Sequence, residues 1–315
     1  MDQYTGTSLE DMVTLDNVGR QMFTIPYSGT YRIEVRGASA QDCTGGGNCW
    51  GHSWITNPGG NGALVAANYG FEAGTQLLLM VGQKGYKGWT SCGPGGGGTF
   101  VVKCPAGSNT NQCLNNHQLL FAAGGGGGCS TNGGDDGHNY RGHHGLATQS
   151  NGESGTWGGG GSGSNGGQYQ GGSGYTGDGQ SQQYGSNSHS FINGGRGGVQ
   201  GEQRGGFGGG GGAHQCKTPP ENYHATISHH LAHVFARERT DGCGFCFSSG
   251  CHPGGGGGYA GGGGGNSNYG GGGGSYIWGG HSGGLERTNG ENDGQGRVDI
   301  VSFSPAECTA DWPHC

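Results

Sequence analysis

Residues 254–274 read GGGGGYAGGGGGNSNYGGGGG, three runs of five glycines side by side. Glycine brings no side chain to a core, and in regular structure each one costs roughly 0.5–1 kcal/mol relative to alanine. The feature recurs along the chain. Further runs are bounded by Gly95 and Gly98, Gly124 and Gly128, Gly158 and Gly161, and Gly208 and Gly212, with Gly210 at the centre of the last. The three opening runs are bounded by Gly254 and Gly258, Gly261 and Gly265, and Gly270 and Gly274. Sequence this rich in glycine and serine is ordinarily flexible linker.

A glycine run has another option. In the polyproline II conformation it makes three residues per turn, rises about 3.1 Å per residue and forms no internal hydrogen bond. Every N–H and C=O then points outward and, if buried, needs a partner. Rods packed side by side partner one another, and only glycine lets backbones approach so closely on all sides. The similar run lengths and the interleaved tyrosines favour an ordered bundle of polyglycine II helices over a linker array. Tyr259, Asn268, Tyr269, Tyr276 and Trp278 are expected at its edge. There is no strict glycine-every-third-residue period with proline, so collagen is excluded.

Composition sharpens the choice. Glycine supplies 84 of 315 residues, and Leu, Ile, Val and Phe together only about 13%, well below an ordinary domain. Charged residues are 11% and the net charge is −7, so self-repulsion does not hold the chain open. A pI near 6.0 without a Lys/Arg run argues against a nucleic-acid partner. No stretch approaches about 18 consecutive apolar residues, so no membrane span is expected. The acidic first twenty residues have no apolar h-region and do not read as a signal peptide.

Strand signals fill residues 20–130: QMFTI, TYRIEV, GALVAANYGF, TQLLLMVG, TFVVK and QLLFAAG. They are short, rich in β-branched and aromatic residues, and bounded by Gly, Asn or Pro. In TYRIEV, Tyr31, Ile33 and Val35 face one way and Arg32 and Glu34 the other. A last strand, RVDIVSF at 297–303, lies far away and is expected to return to the early sheet. The fold class is therefore mainly β, an antiparallel β-sandwich fused to a polyglycine bundle with one short α-helical insert. The expected organisation is a sandwich over 1–130 plus 295–307 and a glycine-rich part over 131–294. The latter carries a Cys-containing helical insert at 217–252, and a Cys tail follows at 308–315. Within the insert, Ile227, Leu231 and Val234 recur at helical spacing after Pro219-Pro220-Glu221, predicting a helix of about 12–16 residues.

Twelve cysteines form an even set: Cys43, Cys49, Cys92, Cys104, Cys113, Cys129, Cys216, Cys243, Cys246, Cys251, Cys308 and Cys315. They sit in coil-like inserts, the usage of an oxidising compartment, and are read as disulfide candidates of open connectivity. CGFCFSSGCH, with Cys243, Cys246, Cys251 and His252, also suits zinc or a redox pair. His229 and His233 stand at i, i+4, but the glutamate of HExxH is missing, with His230 in its place. GDDGHN and NGENDG lack the spacing of a calcium loop and read as polar turns. No metal, no cofactor and no catalytic constellation is expected.

The order of these stretches also resembles a known family. SGTYRIEVRGAS (28–39), LLMVGQKG (78–85), GGGGTFVVK (95–103), LLFAAGGGGG (119–128), GGFGGGGGA (205–213), GGGGGYAGG (254–262) and GRVDI (296–300) are similar, in sequence and order, to one domain. That domain is the glycine-rich extracellular domain of the anaplastic lymphoma kinase and leukocyte tyrosine kinase receptors. The resemblance implies a tumour-necrosis-factor-like sandwich fused to a bundle of polyglycine helices; in those receptors the unit binds a cytokine and supports dimerisation. The insert at 217–252 has no counterpart there, and this stretch holds neither a membrane span nor a kinase domain, which leaves open a freestanding protein. The expected function is non-catalytic extracellular recognition of a protein ligand on a rigid scaffold. The alternative is a self-assembling structural or adhesive protein, a fibre, coat or adhesin.

Overall fold

The computed structural model describes residues 12–45, 55–86, 92–130, 141–148, 171–180, 186–200, 203–213, 252–265 and 269–303. The strands are β1 (Val13–Leu15), β2 (Gln21–Thr24), β3 (Gly29–Arg36), β4 (Cys43–Gly45), β5 (Ile55–Asn57), β6 (Gly62–Phe71), β7 (Gln76–Met80) and β8 (Thr99–Cys104). A short helix, α1 (Thr110–Asn115), precedes β9 (Gln118–Ala123). There follow β10 (Val199–Gln200), β11 (Gln203–Arg204), β12 (Tyr276–Ile277), β13 (Gly283–Asn292) and β14 (Arg297–Ser302). The chain is mainly β, as its pattern predicts.

Two antiparallel sheets carry the core. One has the order β1-β2-β7-β8-β9-β12 and the other β13-β6-β3-β14. The alternation in β3 buries Tyr31, Ile33 and Val35 and leaves Arg32, Glu34 and Arg36 on the outer face. Across the gap they meet Phe23, Leu77, Leu79, Val101 and Phe121 of the six-stranded sheet. Burying such side chains is the main apolar driving force available to the chain. The outer face of the six-stranded sheet is covered as well: Met22, Leu78, Met80, Phe100 and Val102 pack under Phe191, with Tyr175, Phe207, Tyr259 and Tyr276 against them.

The sandwich takes more of the chain than the boundary expected at 294. β12 pairs with β9 and the ten-residue β13 pairs with β6, so residues 276–292 belong to the sheets. The helix predicted in the insert lies outside the described residues. The one helix described, α1, has no amphipathic period; Asn109 caps it reciprocally with Gln112, and the Cys104–Cys113 disulfide ties it to β8.

The glycine runs grow directly out of the strands. Run 95–98 leads into β8, run 124–128 leaves β9, and run 270–274 leads into β12. Where sheet bonding ends, run-to-run bonding takes over. Gly96 N–H donates to Gly126 O, and Gly273 N–H to Gly125 O. The partners repeat every third residue. Gly125 and Gly128 donate to Gly257 and Gly254, Gly95 and Gly98 to Gly211 and Gly208, and Gly271 and Gly274 to Gly263 and Ala260. Intervening amides turn to other neighbours: Gly126 donates to Ala38 O and Gly127 to His143 O. Among the described residues no backbone bond joins two residues of the same run.

Candidate functional site

Every described glycine of these runs is buried: Gly95, Gly98, Gly124, Gly128, Gly208, Gly210, Gly212, Gly254, Gly258, Gly261, Gly265, Gly270 and Gly274. Gly158 and Gly161 lie outside the described residues. Run 124–128 is enclosed by bonds on several sides. It bonds to runs 95–98, 254–258 and 270–274, and to Ala38, Gly60, Ala63 and His143. A Cβ placed on Gly126, Gly128 or Gly97 would fall within 3.0 Å of a backbone oxygen of a neighbouring segment. Backbone cannot swing aside as a side-chain tip can, so the side-chain-free sequence is a steric requirement of the lattice.

Among the cysteines, Cys43 bonds to Cys129 and Cys104 to Cys113, and Cys92 is also disulfide-bonded. Cys49, Cys216, Cys243, Cys246, Cys251, Cys308 and Cys315 lie outside the described residues, as do His229 and His233. Among the described residues, no group of three or more His, Cys, Asp or Glu is placed to hold a metal ion, and no helix is long and apolar enough to cross a membrane.

The aromatic expectations divide. Tyr259 and Tyr276 stack at 4.8 Å over the six-stranded sheet, and Tyr269 stacks on His143 at 4.1 Å beside the runs. Trp278 is instead part of the sandwich. It stacks on Tyr69, whose hydroxyl donates to Trp278 O. Asn268 lies outside the described residues. Tyr175 sits between Phe191 and Tyr259, with its hydroxyl against His117 Nε2. Burial, reinforced by Tyr259 and Tyr276, pushes its phenol up to about 12.

The most organised polar surface is the outer face of the four-stranded sheet. Arg32 bonds Glu34 at 2.8 Å and Glu286 at 2.6 Å. Arg36 reaches Glu34, Glu291 and Asp299 at 3.1–3.2 Å, and Arg297 bonds Asp299 at 2.7 Å. Three strands therefore contribute to one alternating network: β3 supplies Arg32, Glu34 and Arg36, β13 supplies Glu286 and Glu291, and β14 supplies Arg297 and Asp299. Partial burial pulls the Glu34 carboxyl up, but Arg32 and Arg36 more than offset it and hold it below the ordinary carboxylate value. Burial likewise acts first on Asp16 and Asp178. Arg20 overcomes it at the first, and bonds from Ser190 and Asn193 at the second, so both are lowered.

These shifts fix the pH behaviour. A carboxylate with a lowered folded pKa stabilises the fold above its unfolded value, and that contribution disappears as pH falls through the folded value. Tyr175 acts in the opposite sense: its stabilisation is present below 10.0 and lost as pH rises toward about 12. Thermal melts across pH should therefore show loss of stability below about pH 4 and again above pH 10.0. Phenolate absorbance should lag behind free tyrosine until the fold opens. A flat profile on either side would contradict the assignment.

A separate open cavity of about 400 Å³ lies between the β1–β2 turn and run 205–213. Val18, Gln21, Gln83, Phe207 and Gln295 line it, offering amides and one aromatic ring but no titratable side chain. The sequence shows Arg32 and Glu34 facing outward, but not their partners. Glu286 and Glu291 come from β13, whose GGLERTNGEN carries no strand alternation. Comparison with known proteins adds no relative: no protein-family model matches the chain, and no curated protein matches it.

Proposed function

We propose that this chain is a non-catalytic extracellular module that recognises a protein through the outer face of its four-stranded sheet. In this reading the sandwich is tumour-necrosis-factor-like, and the glycine lattice is a bundle of polyglycine II helices serving as a rigid base. The observation that carries it is the network of Arg32, Arg36 and Arg297 with Glu34, Glu286, Glu291 and Asp299. Charges held in one geometry before contact cost little ordering entropy on binding and discriminate between partners by sign. The disulfides fit an oxidising compartment.

The test is a binding screen of the full chain against a panel of purified secreted and cell-surface ectodomains. A saturable binder is expected, weakened roughly tenfold or more by Arg36→Ala and weakened by salt. A panel without a binder, or a binder indifferent to Arg36→Ala, would count against this face.

A further inference from the structure

Sheet edges expose unpaired backbone and are normally blunted or covered. Three of the four main edges here are. β1 and β12, the edges of the six-stranded sheet, are only three and two residues long. β13 is interrupted by register shifts after Gly283 and Thr288. Segment 145–147 also lies along it, with Gly290 N–H bonded to Gly145 O, Ala147 N–H to Asn289 Oδ1 and Arg287 Nη1 to Ala147 O.

β14 is different. It pairs with β3 in unbroken register from Arg297↔Arg36 to Ser302↔Tyr31, with no bulge and no proline. Phe303 N–H donates to Thr30 O, which sets the phase. Antiparallel bonding alternates, so Val301, Asp299 and Arg297 turn their backbone groups to β3. Val298, Ile300 and Ser302 turn theirs to the open side, and among the described residues these meet no backbone partner. Val301 is 53% exposed on the outer face, while Val298 and Ile300 are only partly buried against the core.

The three open positions are symmetric about Ile300. We propose that β14 pairs antiparallel with β14 of a second copy about a two-fold axis through Ile300, joining two four-stranded sheets into one. Val298 then bonds Ser302 of the partner subunit, and Ile300 bonds Ile300 of the partner subunit. An axis through Val298 would set Ile300 against Gly296 of the partner subunit, whose N–H already serves Gly82 O. An axis through Asp299 would place two carboxylates directly opposite and set Ser302 against Gly296 of the partner subunit, leaving only Val298 and Ile300 to bond across the seam. In the proposed register Val301 faces Asp299 of the partner subunit, and Ile300 packs on its own copy. Asp299 is already paired with Arg36 and Arg297, so the approach brings no bare like charges together. Because the contact is isologous and β13 is covered, the assembly closes at a dimer and does not extend into a fibre. The pairing rests on the backbone edge of β14 and shares Asp299 with the outer-face network.

The test is sedimentation equilibrium of the full chain, with hydrogen exchange measured across concentration. Wild type should pass from monomer to dimer, and amides of Val298, Ile300 and Ser302 should gain protection of roughly tenfold or more with the dimer. Asp299 and Val301, already bonded to β3, should not change. Ser302→Pro removes an open N–H and leaves the β3 bonds in place, and should be monomeric. Val301→Asp should weaken the dimer and Val301→Lys strengthen it, each roughly fivefold, since two such pairs form per dimer. Within one chain Val301 lies opposite Arg32, so the same two changes should act on fold stability in the reverse order. That reversal separates a seam effect from a folding effect, even if Ser302→Pro fails to fold. A chain that stays monomeric, a dimer whose three open amides exchange as in the monomer, unlimited assembly, or the reverse ranking of the two Val301 variants would each overturn the proposal.

Discussion

Gly126→Ala is expected to prevent folding, or to lower stability by about 4–5 kcal/mol or more, an exceptional cost for one methyl group. Gly126 sits in run 124–128 with its amide on Ala38 O and its carbonyl accepting from Gly96, and its Cβ would fall on the Gly60 carbonyl. Neither segment can retreat without breaking bonds to its own neighbours. Gly70→Ala makes the control. Gly70 lies in β6, is exposed, and a Cβ there meets nothing within 4 Å. Removing glycine's freedom from the unfolded chain should leave that variant neutral, or more stable by about 0.4–1 kcal/mol. Gly210→Val, at a site whose Cβ would meet Gly95 O, should behave like Gly126→Ala. Equal thermal midpoints for Gly126→Ala and Gly70→Ala would mean that the runs are not packed as described.

Loss of the Cys43–Cys129 disulfide should be the next largest effect. The bond closes a loop with a sequence separation of 86 and joins the start of β4 to the end of run 124–128. Cross-linking a loop of that size restricts the unfolded chain by about 4–5 kcal/mol on the chain-entropy model. The Cys104–Cys113 bond spans a separation of only 9 and should contribute about 2–3 kcal/mol on the same model. Denaturant titration of the two double alanine variants, Cys43→Ala with Cys129→Ala and Cys104→Ala with Cys113→Ala, gives the comparison. The order should hold even if both magnitudes are smaller, since burial is similar at the two sites. A larger loss from the short loop would show that native-state contacts, not loop closure, set the contribution.

The strands with strong alternation or dense apolar content were legible: β2, β3, β6, β7, β8, β9 and β14 all coincide with predicted stretches. β13 was not, because most of its side chains are exposed. They need not alternate when little of the strand faces the core and its place is held by backbone bonds to β6. β12 escaped for a related reason. Two residues carry no period, and its place beside β9 follows from the bonding between runs 124–128 and 270–274. Trp278 looked like an edge residue of the glycine bundle because it follows the last run. The chain re-enters the sheet at Tyr276, and that places the indole on Tyr69. On the outer face the outward side of Arg32 and Glu34 could be read from β3, but the network needs carboxylates from strands more than 250 positions away.

By itself the sequence determined that glycine-rich segments must bond laterally if they are ordered, because a chain without side chains has only its peptide groups to offer. It also determined which residues of β3 face the core, because side-chain direction alternates along any strand. Only the tertiary structure decided which run lies beside which. Five glycines read the same in every run, and partner choice comes from the strands that lead into them. The open edge of β14 among the described residues was likewise decided at that level, since it follows from the order of strands in the sheet and no local sequence encodes that order.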